Sequence, residues 1–447
     1  MHSRPGVTAQ FALLTWLFAS ALPAHAANPI DLRTAVNQAM AFSPAIREAE
    51  ERINQLRFQK YGIRSSILPQ IDVAASGSHR KDAVANRTVG AVPFGGSPYN
   101  LYSLGVRGEQ LLLGYGTFAA VSVAEYDREL GETQVEIAKR DLTRRIISVF
   151  YRTVLNENLL RIFDEQEKVV GEILGIARRR MNLGGKRIDV LQVQTQLALL
   201  KPKIEKAKNE LSASAAELAN LMGQAENNEI TIRGYMPNIV TEDLEKLLNL
   251  KEFNLPELTA IRLRREQVDN EKSVTLGKNL PNLKLIGDYN FLNYTKADLL
   301  EPASNSWSVQ LLLSVPIFSG LSSVFERRAL NSRDTQLEFQ ERNVTNAVVL
   351  EQIKSRKSLE SAEASLASAE EAAKLARESL NEARREYRFG IIDFLQFLQV
   401  EAQDFEAATS LLQLRYDAIN ASANYFAASG QPLDTLVDLL SKEAKKP

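Results

Sequence analysis

Two short turns hold the residues whose types and spacing could do chemistry. One reads Leu183-Gly184-Gly185-Lys186-Arg187-Ile188-Asp189-Val190-Leu191-Gln192, the other Phe389-Gly390-Ile391-Ile392-Asp393-Phe394-Leu395-Gln396. Each sets a carboxylate, Asp189 or Asp393, a few residues past a glycine. Arginines crowd the approach: Arg178-Arg179-Arg180 before the first turn, Arg384-Arg385 and Arg388 before the second. A glycine that ends a long helix is a C-cap with positive φ. An Asp just before an apolar run sits at the next helix N-terminus. Arginines at a helix C-terminus complement the macrodipole.

Other chemistry is largely excluded by composition. The chain has no cysteine, so disulfides, Cys-based zinc sites, iron–sulfur clusters and thiol catalysis are ruled out. Of its 3 histidines, His2 and His25 fall in an N-terminal leader, which leaves His79 alone for any relay or metal site. No P-loop, G-x-S-x-G, H-E-x-x-H or Rossmann glycine pattern occurs. A formal net charge of −1 argues against a nucleic-acid binder. Nothing calls for a cofactor or a metal, and no reaction is expected.

Residues 1–26 read as a signal peptide. Arg4 precedes an apolar run from Phe11 to Leu22, and Ala24-His25-Ala26 supplies an A-x-A cleavage site. No cysteine follows that could carry a lipid. The mature part has no apolar run long enough for a membrane helix, so a membrane hold would have to be a β-barrel.

The mature chain is internally duplicated. Residues 44–73 align with 256–285 at constant offset, pairing Pro44 with Pro256, Arg52 with Arg264, Gln55 with Gln267, Lys60 with Lys272, Leu68 with Leu280 and Pro69 with Pro281. Each copy continues with an alternating stretch, a loop, a second alternating stretch, a very long helix and a returning helix that ends in Gly-Gln (Gly223-Gln224, Gly430-Gln431). The expected divisions are 27–224 and 256–436, joined by 225–255, with 437–447 as a charged tail.

The alternating stretches have period two. Tyr102, Leu104, Val106 and Gly108 share one face, as do Leu283, Leu285, Gly287, Tyr289 and Phe291, and as do Trp307, Val309, Leu311 and Leu313. Apolar residues outside and polar ones inside over some ten residues fit membrane-spanning strands; a half-buried soluble hairpin is the other reading. Tyr99, Tyr102, Tyr289, Tyr294 and Trp307 sit near strand ends, where interfacial aromatics belong. Four strands cannot close a barrel, and an open edge is not tolerated in lipid. Two chains would give eight strands, three would give twelve.

The helices are the stronger signal. From Thr117 to Leu183 and from Ser322 to Phe389 no proline intervenes, which predicts two helices of ~100 Å. Leu359, Leu366, Ala373, Leu380 and Tyr387 recur every seven residues, and so do Ala362, Ala369, Ala376 and Ala383, an a/d-type seam. A first short helix (Asp31 to Ser66) and a returning one (Arg187 to Met222) would lie end to end beside the long one. All strand ends then fall at one pole, and Gly184 and Gly390 at the other.

With these features the chain resembles the TolC-like outer membrane efflux proteins of Gram-negative bacteria. The likeness spans Asp31 to about Leu436, through the duplication, the Leu-Pro strand entries, the Val315-to-Gly320 strand exit and the two turns. The resemblance implies a mainly α fold with β: long helical hairpins forming a trimeric periplasmic α-barrel, joined to a 12-stranded outer membrane β-barrel with four strands per chain. It implies a homotrimer in outer membrane lipid. It also implies a passive duct recruited by a periplasmic adaptor (membrane fusion) protein and an inner membrane efflux pump or ABC transporter, for efflux or type I secretion. Tyr387, Asp393 and its counterpart Asp189 would line the periplasmic entrance, with Gln396 and Gln192 where the family has a second aspartate. Leu183, Gly184, Lys186, Arg187, Phe389 and Gly390 would meet the adaptor. The competing reading is a secreted or periplasmic structural coiled coil without channel activity.

Overall fold

The computed structural model describes residues 30–81, 88–89, 92–93, 98–224, 232, 235–237 and 255–443. The signal segment 1–26 and most of the joining segment 225–255 lie outside the described residues.

The long-helix expectation is met almost to the residue. Helix α3 runs Tyr115–Asn182 and α6 runs Ser322–Phe389, each 68 residues, or ~100 Å. No proline interrupts either one, and their length is supported by neighbours along its whole course. On α3 these are α2 (Pro44–Ser65), α4 (Arg187–Leu221), α5 (Pro256–Gly277) and α7 (Phe394–Ala428). On α6 they are α5 and α7. Two shorter helices therefore run end to end along each long one. Of the heptad seam, Leu359, Leu366, Leu380, Ala383 and Tyr387 are buried, while Ala362, Ala369, Ala373 and Ala376 are half-buried.

Two expectations are corrected. The helix expected from Asp31 to Ser66 is two: α1 (Leu32–Phe42) ends at Ser43, and Pro44 opens α2. A proline lacks the N–H that an uninterrupted helix would need, and it disfavours α geometry at the residue before it. The second repeat also does not stop at 436 with a charged tail. Helix α8 (Leu433–Glu443) crosses that point and buries Leu436, Val437 and Leu440 completely. Its apolar residues recur at helical spacing, and the lysines at its end mask that stripe in a composition count.

Two cores hold the rod. The larger joins α1, α3, α7 and α8 through Leu32, Ile146, Phe150, Tyr151, Phe426 and Leu440. The smaller lies at the far pole, where Val170, Ile173, Ala177, Val193, Leu380, Tyr387 and Phe397 meet.

At the opposite pole the strands form one antiparallel four-stranded sheet. Its members are β1 (Gln70–Arg80), β4 (Tyr99–Leu113), β5 (Asn282–Asn293) and β6 (Asn305–Ser314), in the order β1-β4-β5-β6. Between β1 and β4 lies a small ribbon, β2 (Thr88–Val89) with β3 (Val92–Pro93). The two repeats thus meet strand to strand, with Gly108 opposite Gly287. Among the described residues the outer edges of β1 and β6 have no partner strand.

Candidate functional site

The far pole is built from two unlike turns. Helix α3 ends at Asn182 with Leu183 as its C-cap, and Gly184 follows at φ 95°. Gly390 caps α6 directly at φ 73°. Both glycines hold the left-handed conformation expected of them, which a β-carbon would strain. The turns push apolar side chains into the open: Leu183 is 88% exposed and Phe389 82%. Lys186 and Arg187 stand exposed beside them.

Asp393 is the N-cap of α7 and accepts a bond from the Gln396 backbone N–H at 2.8 Å. The Gln396 side chain returns an acceptor to the Asp393 N–H at 3.1 Å. This reciprocal pair is a capping box, and it gives Gln396 a structural role that its place in the turn did not reveal. The Asp-x-x-Gln spacing was the available signal. The first turn is capped differently: Lys186 occupies the N-cap position without a side-chain bond, and Asp189 falls in the first helical turn. There it still favours the positive end of the helix dipole. Gln192 lies half-buried one turn farther on.

Tyr387 is 5% exposed, stacks on Phe397 with ring centres 4.9 Å apart, and carries Arg180 over its other side. Its hydroxyl is buried and has no hydrogen-bond partner among the described residues. Burial is the main cause that raises its phenol; Arg180 pulls it back and Asp189 pushes it up. Sequence reasoning assigned Arg180 only to the helix dipole and missed this contact.

The sheet is amphipathic. Register places Val73, Val106, Tyr289 and Trp307 in one row, with Gly287, Leu285, Val309 and Leu311 on the same face. The opposite face carries Asp72, Arg107, Asp288 and Ser308 in one row, and Lys284 bonds Glu109 at 2.5 Å. Leu101, Leu111, Ile286, Leu292 and Leu312 are apolar members of that mixed but more polar face. The apolar face is bare in the lone chain; Trp307 is 73% exposed and Leu311 64%. Tyr102, Tyr289 and Trp307 share it. Tyr99 falls on the other face by strand parity and meets Tyr294 edge-on at 5.7 Å, at the loop rim. A second group of exposed aromatics, Tyr115, Phe118 and Phe318, stands at the strand–helix junctions.

An amphipathic sheet with bare edges, set on a ~100 Å helical rod, narrows the comparison to few folds. The sequence model of the outer membrane efflux protein family matches residues 35–224 and 247–431. The chain belongs to that family. A member-like relative, probable efflux pump outer membrane protein TtgC of Pseudomonas putida, is 21% identical over 406 residues, covering 86% of this chain and 80% of its own. The outer membrane protein VceC of Vibrio cholerae shares the fold with a TM-score of 0.75 at 17% identity, covering 90% of this chain and 96% of that one. The Campylobacter jejuni CmeC outer membrane channel does so with a TM-score of 0.75 at 16% identity, covering 93% and 90%.

Family membership fixes the setting. The protein resides in the outer membrane of a Gram-negative bacterium, with the sheet in the membrane and the long helices in the periplasm. None of the described helices is long and apolar enough to cross a membrane.

Proposed function

We propose that this chain, as a homotrimer, is the outer membrane exit duct of a tripartite efflux system. Three copies supply twelve strands, enough for an aqueous lumen. The observation that carries this reading is the sheet: one apolar and one polar face, and two bare edges that only further strands can satisfy. The polar face would line the lumen, and the helices would extend it through the periplasm. Type I secretion uses the same kind of duct and remains within the proposal. The catalytic step would be absent; the energy would come from an inner membrane pump.

The periplasmic entrance would be formed by Tyr387, Asp393, Asp189, Gln192 and Gln396. One carboxylate per turn, where the resemblance implies two, predicts a weaker cation site. Leu183, Gly184, Lys186, Arg187, Phe389 and Gly390 would receive a periplasmic adaptor. Exposed apolar tips ringed by cations suit such docking.

Two measurements test this. Purified protein in a planar bilayer should give discrete single-channel conductance. Cysteines placed at Leu183 or Phe389 should cross-link to a co-expressed adaptor. Recovery as a detergent-independent soluble protein, without conductance, would favour the structural coiled coil instead.

A further inference from the structure

Glu401 sits on α7, about 12 Å past its N-terminus at 1.5 Å per residue. It is 3% exposed. Its carboxylate is met from α3 by Gln166, whose Nε2 donates to Oε1 at 2.5 Å. The helices α3 and α7 belong to different hairpins, so this bond crosses between the two repeats. Beside it, Phe163 of α3 lies 5.5 Å from Phe405 of α7.

The surroundings are charged, and Arg384, in the wall of the same cavity, favours the ionised carboxylate without forming an ion pair with it among the described residues. A cavity of about 380 Å³ opens between α3, α6 and α7 at this level. Helix α3 contributes Arg161 and Glu165 to its wall, α6 contributes Arg377 and Arg384, and α7 adds Asp404. Arg377 is already taken by Asp404 at 2.9 Å. Among the described residues no arginine or lysine forms an ion pair with Glu401 itself. An ionised carboxylate buried without a cation is costly, and the cost is relieved by protonation or by letting water in.

We propose that Glu401 is a proton-operated clasp between the two helical hairpins, holding α3 and α7 together when protonated and favouring their separation above the tip when ionised. Burial is the main cause that lifts the carboxyl above its ordinary range; Gln166 and Arg384 lower it, and Asp404 raises it. The sign follows. A carboxyl raised in the packed state contributes fully in acid, and the contribution is lost as pH rises through the raised value. The clasp is therefore tightest at low pH. It stands independently of the duct reading, while its consequence, a wider entrance at higher pH, rests on that reading.

The chain has no native cysteine, so paired spin labels can be placed cleanly. Full-length protein carrying Asp164→Cys on α3 and Gln403→Cys on α7 is labelled, and the inter-label distance is read by pulsed electron resonance from about pH 4 to pH 9. The distance is expected to lengthen as pH rises. Glu401→Gln should keep the short distance throughout. Gln166→Leu, which removes a bond to the carboxylate, should move the transition to higher pH. A distance independent of pH, or a transition that persists in Glu401→Gln, overturns the clasp. Bilayer conductance over the same range tests the consequence separately: a moving distance with conductance that does not change with pH overturns the widening of the entrance, and a moving distance with no conductance at any pH overturns the duct reading and leaves the clasp standing.

Discussion

The Arg180 guanidinium carbon lies 4.4 Å from the centre of the Tyr387 ring. This cation–π contact joins α3 to α6, so the last turn of one long helix is tied to the last turn of the other. An exposed contact of this type contributes about 0.5–1 kcal/mol. The ring also stacks on Phe397. Removing it should cost much more than removing its hydroxyl.

Tyr387→Phe and Tyr387→Ala separate those contributions. The hydroxyl has no partner among the described residues, so Tyr387→Phe should leave thermal stability within about 0.5 kcal/mol. Tyr387→Ala should destabilise by roughly 3–5 kcal/mol. In the proposed trimer a neighbouring protomer would supply the hydroxyl's partner, and Tyr387→Phe should then raise channel conductance. Melting curves and bilayer recordings, taken together, decide this.

Asp393 carries a cap and a charge, and two substitutions divide them. Asparagine caps as well as aspartate, so Asp393→Asn should keep α7 intact while weakening cation block of conductance modestly. Asp393→Ala should cost about 1 kcal/mol of stability through the lost cap. Equal cation sensitivity in wild type and Asp393→Asn would remove the gate assignment and leave only the cap.

Opposite faces of β6 should respond oppositely to charge. Leu311→Arg places a cation on the apolar face and should destabilise by about 2–4 kcal/mol if it lies near the bilayer midplane. Ser308→Arg, on the polar face beside Asp288, should be tolerated. Heat-modifiable migration of outer membrane preparations reads both outcomes. Equal tolerance would count against a lipid-facing sheet.

Acid should loosen the helices nearest the membrane. Hydrogen bonds from Arg128, then from Lys60, hold the Glu125 carboxyl down to about 2 from its usual 4.5. A depressed carboxyl contributes fully above its ordinary value and loses that contribution as pH falls toward the depressed one. The protection of α2 amides, exchange corrected for its intrinsic pH dependence, should therefore hold above about pH 4.5 and fall below it. Lys60→Met should move the onset to higher pH, because one of the two cations is gone. Glu125→Gln should abolish this part of the pH dependence.

The long helices were legible because their signal is local and redundant. Absence of proline from Ser322 to Phe389 and a seven-residue seam both state the same element. Strand parity was equally plain, and it predicted the shared face of Tyr102, Tyr289 and Trp307. Tyr99 misled because nearness to a strand end says nothing about which face a residue takes. Glu401 was invisible for a different reason. Within Glu401-Ala402-Gln403-Asp404 it looks like any solvated carboxylate, and only the approach of α3, remote in sequence, buries it. Arg180 was hidden in the same way, since helix-dipole complementarity already explained it. The turn between Ser43 and Pro44 could have been read, because proline punctuates helices.

The bare edges of β1 and β6 amount to a counting device. Joining β6 of one copy to β1 of the next is a head-to-tail contact, and such contacts are satisfied only when the ring returns to its start. A lone chain or a pair would keep two sticky edges and an uncovered greasy face. Successful insertion would then depend steeply on how many chains meet, so that dilution in transit protects against premature pairing. One chain with a spoiled edge would poison every ring it joins, which makes the edge residues the natural place for dominant mutations.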